Sequence, residues 1–243
     1  MKMLTLAKRN VKEIIRDPLN LCFGLGFPLV LLLLLSAIQA SVPVPLFAIE
    51  TLTPGIVVFG LTFLTLFSAT IIAKDRESAL LERLYTTPLS ALDFIISYTL
   101  PIVPIALIQT VVCYGAAIIL GLEITLNILW AVLLTVPVAM LFIALGLLFG
   151  SILNVKQVGG ICGALLTNLT AWLSGAWFDL ELVGGAFETV AYLLPFVHAV
   201  EMEREILAGN IGGILPHIFW VLGYAVVAFS LAVALFLRQM KKR

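Results

Sequence analysis

Residues 74–93 read KDRESALLERLYTTPLSALD and form the one substantial polar island between two long apolar runs. Seven of the chain's formal charges fall in it: Lys74, Asp75, Arg76, Glu77, Glu82, Arg83 and Asp93. Glu77–Tyr85 reads as a short amphipathic helix, with Leu80, Leu81 and Leu84 on one side and Glu77 and Arg83 away from them. Thr86-Thr87-Pro88 ends it, because proline disfavours helix at the residue before it. Ser90, with Asp93 three residues on, reads as the cap of the next long helix. An apolar ridge at the base of two apolar helices suits a soluble partner, and we read this segment as a coupling helix by which another protein moves this one.

Composition sets the class. The chain is 62% apolar and 12% charged, with a mean hydropathy of +1.15, whereas a soluble domain carries about 25% charge. Several apolar runs reach the roughly 20 residues that cross a bilayer. The sequence therefore predicts an all-α polytopic membrane protein, a single transmembrane domain over 1–243, with no room for a sizeable soluble domain. Six spans are expected, at 19–40, 54–73, 94–120, 126–152, 158–176 and 216–237. Pro54 is expected in the first turn of its span, where a missing N–H is harmless. Pro101 and Pro104 are expected to kink the third span, and Pro137 lies inside the fourth.

Residues 1–17 predict a basic amphipathic helix lying in the membrane interface. Leu4, Ala7, Val11, Ile14 and Ile15 share one face, and Lys8, Arg9, Lys12 and Arg16 turn toward headgroups on another. A signal peptide is disfavoured, since the following apolar run is too long and lacks a small-residue cleavage site. Of 14 Lys and Arg residues, 13 fall on the side of the N-terminus and only Arg204 on the other, so both termini are expected in the cytoplasm.

The outer segment 177–215 is expected to fold back on itself. Phe187–Leu194 is apolar but too short to span, and Pro195 breaks it. Val197–Leu207 reads as a second helix ended by Gly209-Asn210, with Glu201, Glu203, Arg204 and Glu205 exposed. We read the pair as a re-entrant helical hairpin dipping into the outer leaflet, the alternative being two helices flat on the surface.

The body of each expected span lacks Lys, Arg, Asp and Glu. Ion-coupled carriers place such groups in the membrane, so ion coupling is disfavoured, although backbone carbonyls can also bind sodium. The sequence has no GxxxxGK[ST] loop, so energy for transport would arrive through another subunit. No nucleophile–base arrangement or metal-ligand cluster stands out, and His198 alone beside acids is weak evidence for metal. Cys22, Cys113 and Cys162 lie in apolar runs and read as small buried residues.

Few polar residues sit within spans. Gln109, Thr167, Asn168 and Thr170 are candidates for a substrate path, against the plainer reading of helix–helix hydrogen bonds. Gly159, Gly163, Thr167, Ala171 and Gly175 recur every four residues, a small-residue stripe that lets two helices approach. Gly146 and Gly150 form a GxxxG on the fourth span. The stripe fits packing within one subunit or a dimer interface between two, and spacing does not choose.

Three stretches together resemble the membrane permease subunit of type-2 ATP-binding-cassette exporters. KDRESALLERLYTTPLSALDFIISY is similar to that family's charged segment after the second span, with Glu77, Leu80, Leu84 and Thr87-Pro88-Leu89 in the matching places. LSGAWFDLEL and LLPFVHAVEMEREILAGN are similar to its outer signature before the last span. The six-span layout with an amphipathic N-terminal helix is the third. The resemblance implies a multi-pass protein of the bacterial cell membrane that exports a drug-like, lipid or glycan-type substrate. It implies a second permease subunit, in a homodimer or heterodimer, and two copies of a separate cytosolic ABC ATPase. That ATPase would bind ATP and magnesium and dock on the coupling segment, at Glu77, Leu80, Leu81, Arg83 and Leu84. No cofactor, metal, catalytic residue or nucleic-acid partner is expected of this chain itself. Two other classes remain open: a non-transporting membrane scaffold or sensor, and a channel or secondary carrier.

Overall fold

The computed structural model describes residues 2–78, 80 and 90–241, and these residues contain helices and no strands. The basic N-terminal segment is a helix, α1 (Lys2–Ile15). Asp17 then caps the next helix, accepting the Asn20 N–H at 3.3 Å. Helix α2 (Pro18–Gln39) follows, with a π-type turn at Cys22–Gly26. Helix α3 (Ile49–Glu77) is continuous. Helix α4 (Ala91–Ile119) opens with the expected capping box, Ser90 and Asp93 satisfying each other's backbone N–H. Where Pro101 and Pro104 predict a kink, α4 is broken outright, between Ala91–Thr99 and Val103–Ile119. Helix α5 (Leu126–Ile152) is long and continuous through Pro137. Helix α6 (155–173) carries π-type turns over Gly159–Leu166. Two short helices, α7 (Gly185–Leu193) and α8 (Pro195–Ala208), precede the last helix, α9 (Ile211–Lys241). Gly209 ends α8 in the left-handed conformation (φ 74°), as the Gly-Asn pair predicts.

Several helix limits differ from the hydropathy reading. Helix α3 begins at Ile49, so Pro54 lies inside it rather than in its first turn. It also runs on through Lys74, Asp75, Arg76 and Glu77, because basic residues in a last turn complement the helix dipole. Helix α9 starts at Ile211, which places Pro216 inside it. Helix α6 starts at the Asn154 cap and stops at Leu173, before Gly175 with its φ of 67°. Five helices among the described residues are long and apolar enough to cross a membrane: α2, α3, α4, α5 and α9. Helix α6 is less apolar, because Lys156, Gln157 and Asn168 interrupt it.

Helix α3 is the axis of the bundle. Between Leu52 and Ala73 every residue is buried except Leu66, which is partly so. Helices α2, α4, α5, α6 and α8 all pack against it. A helix enclosed this way must satisfy its hydroxyls locally. Thr53, Thr62 and Ser68 donate to the carbonyls of Ile49, Phe59 and Leu64 at 2.6 Å each. Thr65 instead reaches across to the Phe142 carbonyl of α5 at 2.8 Å. Close approach to α5 is made by glycines. A Cβ on Gly146 would strike Ser68 Oγ, and one on Gly150 would lie 2.7 Å from the Ala69 carbonyl oxygen. The GxxxG of the fourth span thus works inside one subunit.

Gly150→Leu should therefore destabilise the chain by about 1–3 kcal/mol or prevent its folding, through overpacking against backbone. Gly159, which has open space around its Cβ position, should accept alanine within about 0.5 kcal/mol. Thermal unfolding of the detergent-solubilised chain measures both, and equal effects would contradict the assignment of the two glycine patterns.

Candidate functional site

The charged end of α3 gathers five other helices. Asp75 is 1% exposed, and its Oδ2 accepts from Arg9 Nη1 and from the Tyr98 hydroxyl, both at 2.5 Å. Asn10, also buried, donates to the Ser97 carbonyl at 3.0 Å. Helix α1 is thus bolted to α3 and to the first half of α4 by charge and hydrogen bonds. Lys74 pairs with Asp17 at 3.4 Å, at the start of α2. Arg76 donates to the carbonyls of Ser151 and Leu153 at the end of α5. Glu77 accepts the Val155 N–H at 2.9 Å, in the first turn of α6. On α9, Phe236 stacks on Phe94 of α4 with ring centroids 4.0 Å apart. Four consecutive residues, 74–77, therefore fasten α2, α1 with α4, α5 and α6 in turn.

Of the residues expected to dock a partner, Glu77 is exposed and holds α6, and Leu80 is half-buried. Leu81, Arg83 and Leu84 lie outside the described residues. Arg9 departs from its expected place among the headgroup-facing bases and turns inward. Lys8, Lys12 and Arg16 follow one row at i, i+4 and i+8, and Arg9 does not belong to it. That offset, beside the buried Asn10, is the signal that would have set Arg9 apart.

The small-residue stripe borders open space. Gly159, Gly163, Thr167 and Ala171 line a groove of about 610 Å³ between α2, α3 and α6, walled by aromatic rings that include Phe27, Phe63 and Trp172. Asn168 lines it too, its amide donating to the Ala164 carbonyl at 2.8 Å. The Thr167 hydroxyl donates to the Cys162 carbonyl at 3.2 Å, within the helix itself. Gly175 lies past the helix, where its carbonyl accepts from Arg204 at 2.8 Å. Gln109 and Thr170 are buried away from the groove. Gln109 donates to the Val57 carbonyl at 3.1 Å, joining α4 to α3. Cys113 and Cys162 are buried as expected, while Cys22 is exposed.

The far end of the bundle holds a second buried carboxylate. Glu203 was expected at the surface of α8 and is instead fully buried. Its spacing explains this: Phe196, Ala199, Val200 and Ile206 share its face of the helix and are buried with it. Its Oε1 accepts from Thr135 at 2.7 Å, and its Oε2 faces the Tyr114 hydroxyl at 3.4 Å. Burial pushes the Glu203 carboxyl up to about 8, against the hydrogen bonds that favour its charge. Arg204 pairs with Glu201 at 2.8 Å and donates to the Thr51 carbonyl, tying α8 to the start of α3. His198 meets His217 of α9, Nδ1 to Nδ1 at 2.9 Å, and its Nε2 reaches the Tyr192 carbonyl at 3.0 Å. A carbonyl only accepts, so Nε2 carries the proton of the neutral ring and His217 donates to His198 Nδ1. Burial holds His198 below its usual pKa, so the neutral ring is the one the fold prefers. No group of three or more metal-ligating side chains occurs among the described residues.

Two results should follow. Asp75→Ala should lower stability by about 3 kcal/mol and Tyr98→Phe by about 1 kcal/mol, and the two should be non-additive because they share one carboxylate. A double-mutant cycle in thermal unfolding tests this, and strict additivity would contradict it. Because the folded pKa of Glu203 is raised, its contribution is fully present below the ordinary carboxylate range and is lost as pH rises through about 8. Glu203→Gln should flatten that fall and gain on the wild type at alkaline pH. A parallel pH profile in the variant would count against the buried carboxyl.

Known proteins place this arrangement. Residues 1–208 match the family described as ABC-2 type transporter. A protein named as a transport permease, ycf38, from Pyropia yezoensis is 30% identical over 213 residues, covering 82% of this chain and 71% of that one. Its namesake from Porphyra purpurea is 29% identical over 218 residues, covering 84% and 73%. Nodulation protein J of Rhizobium meliloti (strain 1021) is 37% identical over a shorter 70 residues, 28% of this chain and 27% of that one. With several membrane-crossing helices and a family match across most of its length, this chain belongs to the ABC-2 type transporter family, as a multi-pass membrane component of an ABC transporter that works with an ABC ATPase.

Proposed function

We propose that this chain is the permease subunit of an ATP-driven exporter. Helix α6 serves as a sixth span. The charged end of α3 faces the cytoplasm with both termini, and α1 lies in the inner interface. Helices α7 and α8 form an outer re-entrant hairpin that caps the exit path. The location is the cell membrane of a bacterium. Two copies of a separate ATPase bind ATP and magnesium and dock on residues 74–93, through Leu80, Leu81 and Leu84 flanked by Glu77 and Arg83. This chain contributes no ATPase site.

One observation carries the reading. The segment that would receive the ATPase is continuous with residues 74–77, which hold α1, α2, α4, α5 and α6 to the enclosed helix. A push there reaches the whole inner end at once, which is what coupling between separated sites requires. The groove between α2, α3 and α6 supplies a second support. A second permease subunit would close its open side along Gly159, Gly163 and Ala171, with Thr167 and Asn168 polar on the path. Its aromatic and aliphatic walls suit an amphipathic cargo, of the drug, lipid or glycan-lipid kind.

Affinity purification of the tagged chain in mild detergent, with an ATPase assay on the eluate, tests the reading. A stoichiometric ATPase partner is expected, lost in Leu80→Asp with Leu84→Asp while the chain's unfolding temperature is unchanged. Retention of the ATPase and of transport in that variant would remove the docking assignment. A stable oligomer without any ATPase would favour a scaffold or a channel.

A further inference from the structure

A second groove lies under α1, away from the path. It measures about 410 Å³ and runs between α1, α2 and α4. Leu4, Val11 and Ile15 of α1, Leu25 of α2, and Pro104 and Ile108 of α4 are among its walls. The break of α4 at residues 100–102 opens it, since Pro101 and Pro104 both line it. Lys8 is its one polar lining side chain. Leu4, Ile15 and Ile108 are each more than half exposed, so the groove opens sideways.

The charge around the mouth is of one sign. Lys8, Lys12 and Arg16 form an exposed row at i, i+4 and i+8, and none of them makes an ion pair among the described residues. The neighbouring acids are engaged elsewhere: Glu13 with Arg9, and Asp17 with Lys74 and Asn20. Lys8 belongs both to this row and to the groove wall, beside the exposed Leu4 and Ile15. An apolar slot whose rim carries unpaired ammonium groups is complementary to an amphiphile with an apolar tail and an anionic head.

We propose that this groove is a binding site for an anionic phospholipid, one acyl chain lying along Pro104 and Ile108 and the phosphate at Lys8 and Lys12. The lipid then fills the gap that the broken α4 leaves beneath α1 and helps seat the helix that Arg9 fastens to Asp75. The inference rests on the placement of α1 in the interface, but not on the direction or cargo of transport.

The test uses the full chain equilibrated with vesicles of equal phosphatidylglycerol and phosphatidylcholine, with retained lipid counted by native mass spectrometry. Phosphatidylglycerol should be retained in preference. Each of Lys8→Gln and Lys12→Gln should reduce that preference about fivefold. Lys8→Arg should keep it, and Lys156→Gln on α6 should leave it unchanged. Ile108→Trp, which fills the slot from its open side, should reduce retention of both lipids. Equal retention of the two lipids, or a preference that survives Lys8→Gln with Lys12→Gln, overturns the site. A nitroxide at Ile15→Cys, in a Cys22→Ser background, reports the placement of α1 separately. Quenching by oxygen supports the interface, whereas quenching by a water-soluble nickel chelate overturns the placement and the lipid site with it.

Discussion

A carboxylate sealed at the end of an enclosed helix constrains the rest of this molecule. Asp75 has almost no access to water, so its charge must be met by protein, and Arg9 and Tyr98 meet it from two other helices. Removing either donor would leave a buried charge short of partners, which ties the position of α1 to that of α4. Arg76 and Glu77 extend the same logic to helix ends. One supplies donors to carbonyls at the end of α5, and the other accepts the Val155 N–H in the first turn of α6. The polarity of these four residues serves the bundle before it serves any partner.

The body of α3 imposes a complementary constraint. Being covered on all sides, it has no face on which to hide a polar group. Its hydroxyls turn back to its own carbonyls or across to α5, and glycines on α5 admit the close approach. Much of this was legible from the sequence. The capping box at Ser90, the proline break near 101–104, the Gly209 stop and the two short helices around Pro195 all rest on local rules. The long-range pairings were not legible. Arg9 looks like one more surface base until Asp75 is beside it, and Asp75 looks like one more charge in a polar island. Glu203 shows how a strong local prior misleads: four charged residues within five positions suggested exposure, whereas the three- to four-residue spacing of Phe196, Val200 and Ile206 had already placed Glu203 on the buried face. Hydropathy alone also stopped α3 at residue 73, whereas the helix continues into Lys74–Glu77, where basic residues suit the dipole of its last turn.

The two ends of the bundle are built differently. At the charged end of α3, ion pairs join α1 and α2 to α3, and hydrogen bonds from the same four residues reach α4, α5 and α6. At the far end, Glu203 is held by hydroxyls alone, and the His198–His217 contact depends on a neutral His198 ring. Arg204 adds an ion pair with Glu201 and bonds to the Thr51 and Gly175 carbonyls there, so the two ends differ in the chemistry of their ties. The small-residue patterns divide by what each glycine packs against. Gly146 and Gly150 are used up inside the bundle, while Gly159 and Gly163 remain on a groove that another chain can close.

The central claim is that residues 74–77 make α1 and α6 parts of one body. Spin labels at Lys12 on α1 and Lys156 on α6, both exposed, give a direct distance between them within one subunit. The distance would be measured by electron–electron resonance in spin-diluted transporter, nucleotide-free and with ATP trapped in the partner ATPase. The account predicts the same narrow distribution in both states, while distances between subunits change. A shifted or broadened distance between α1 and α6 on trapping ATP would contradict it.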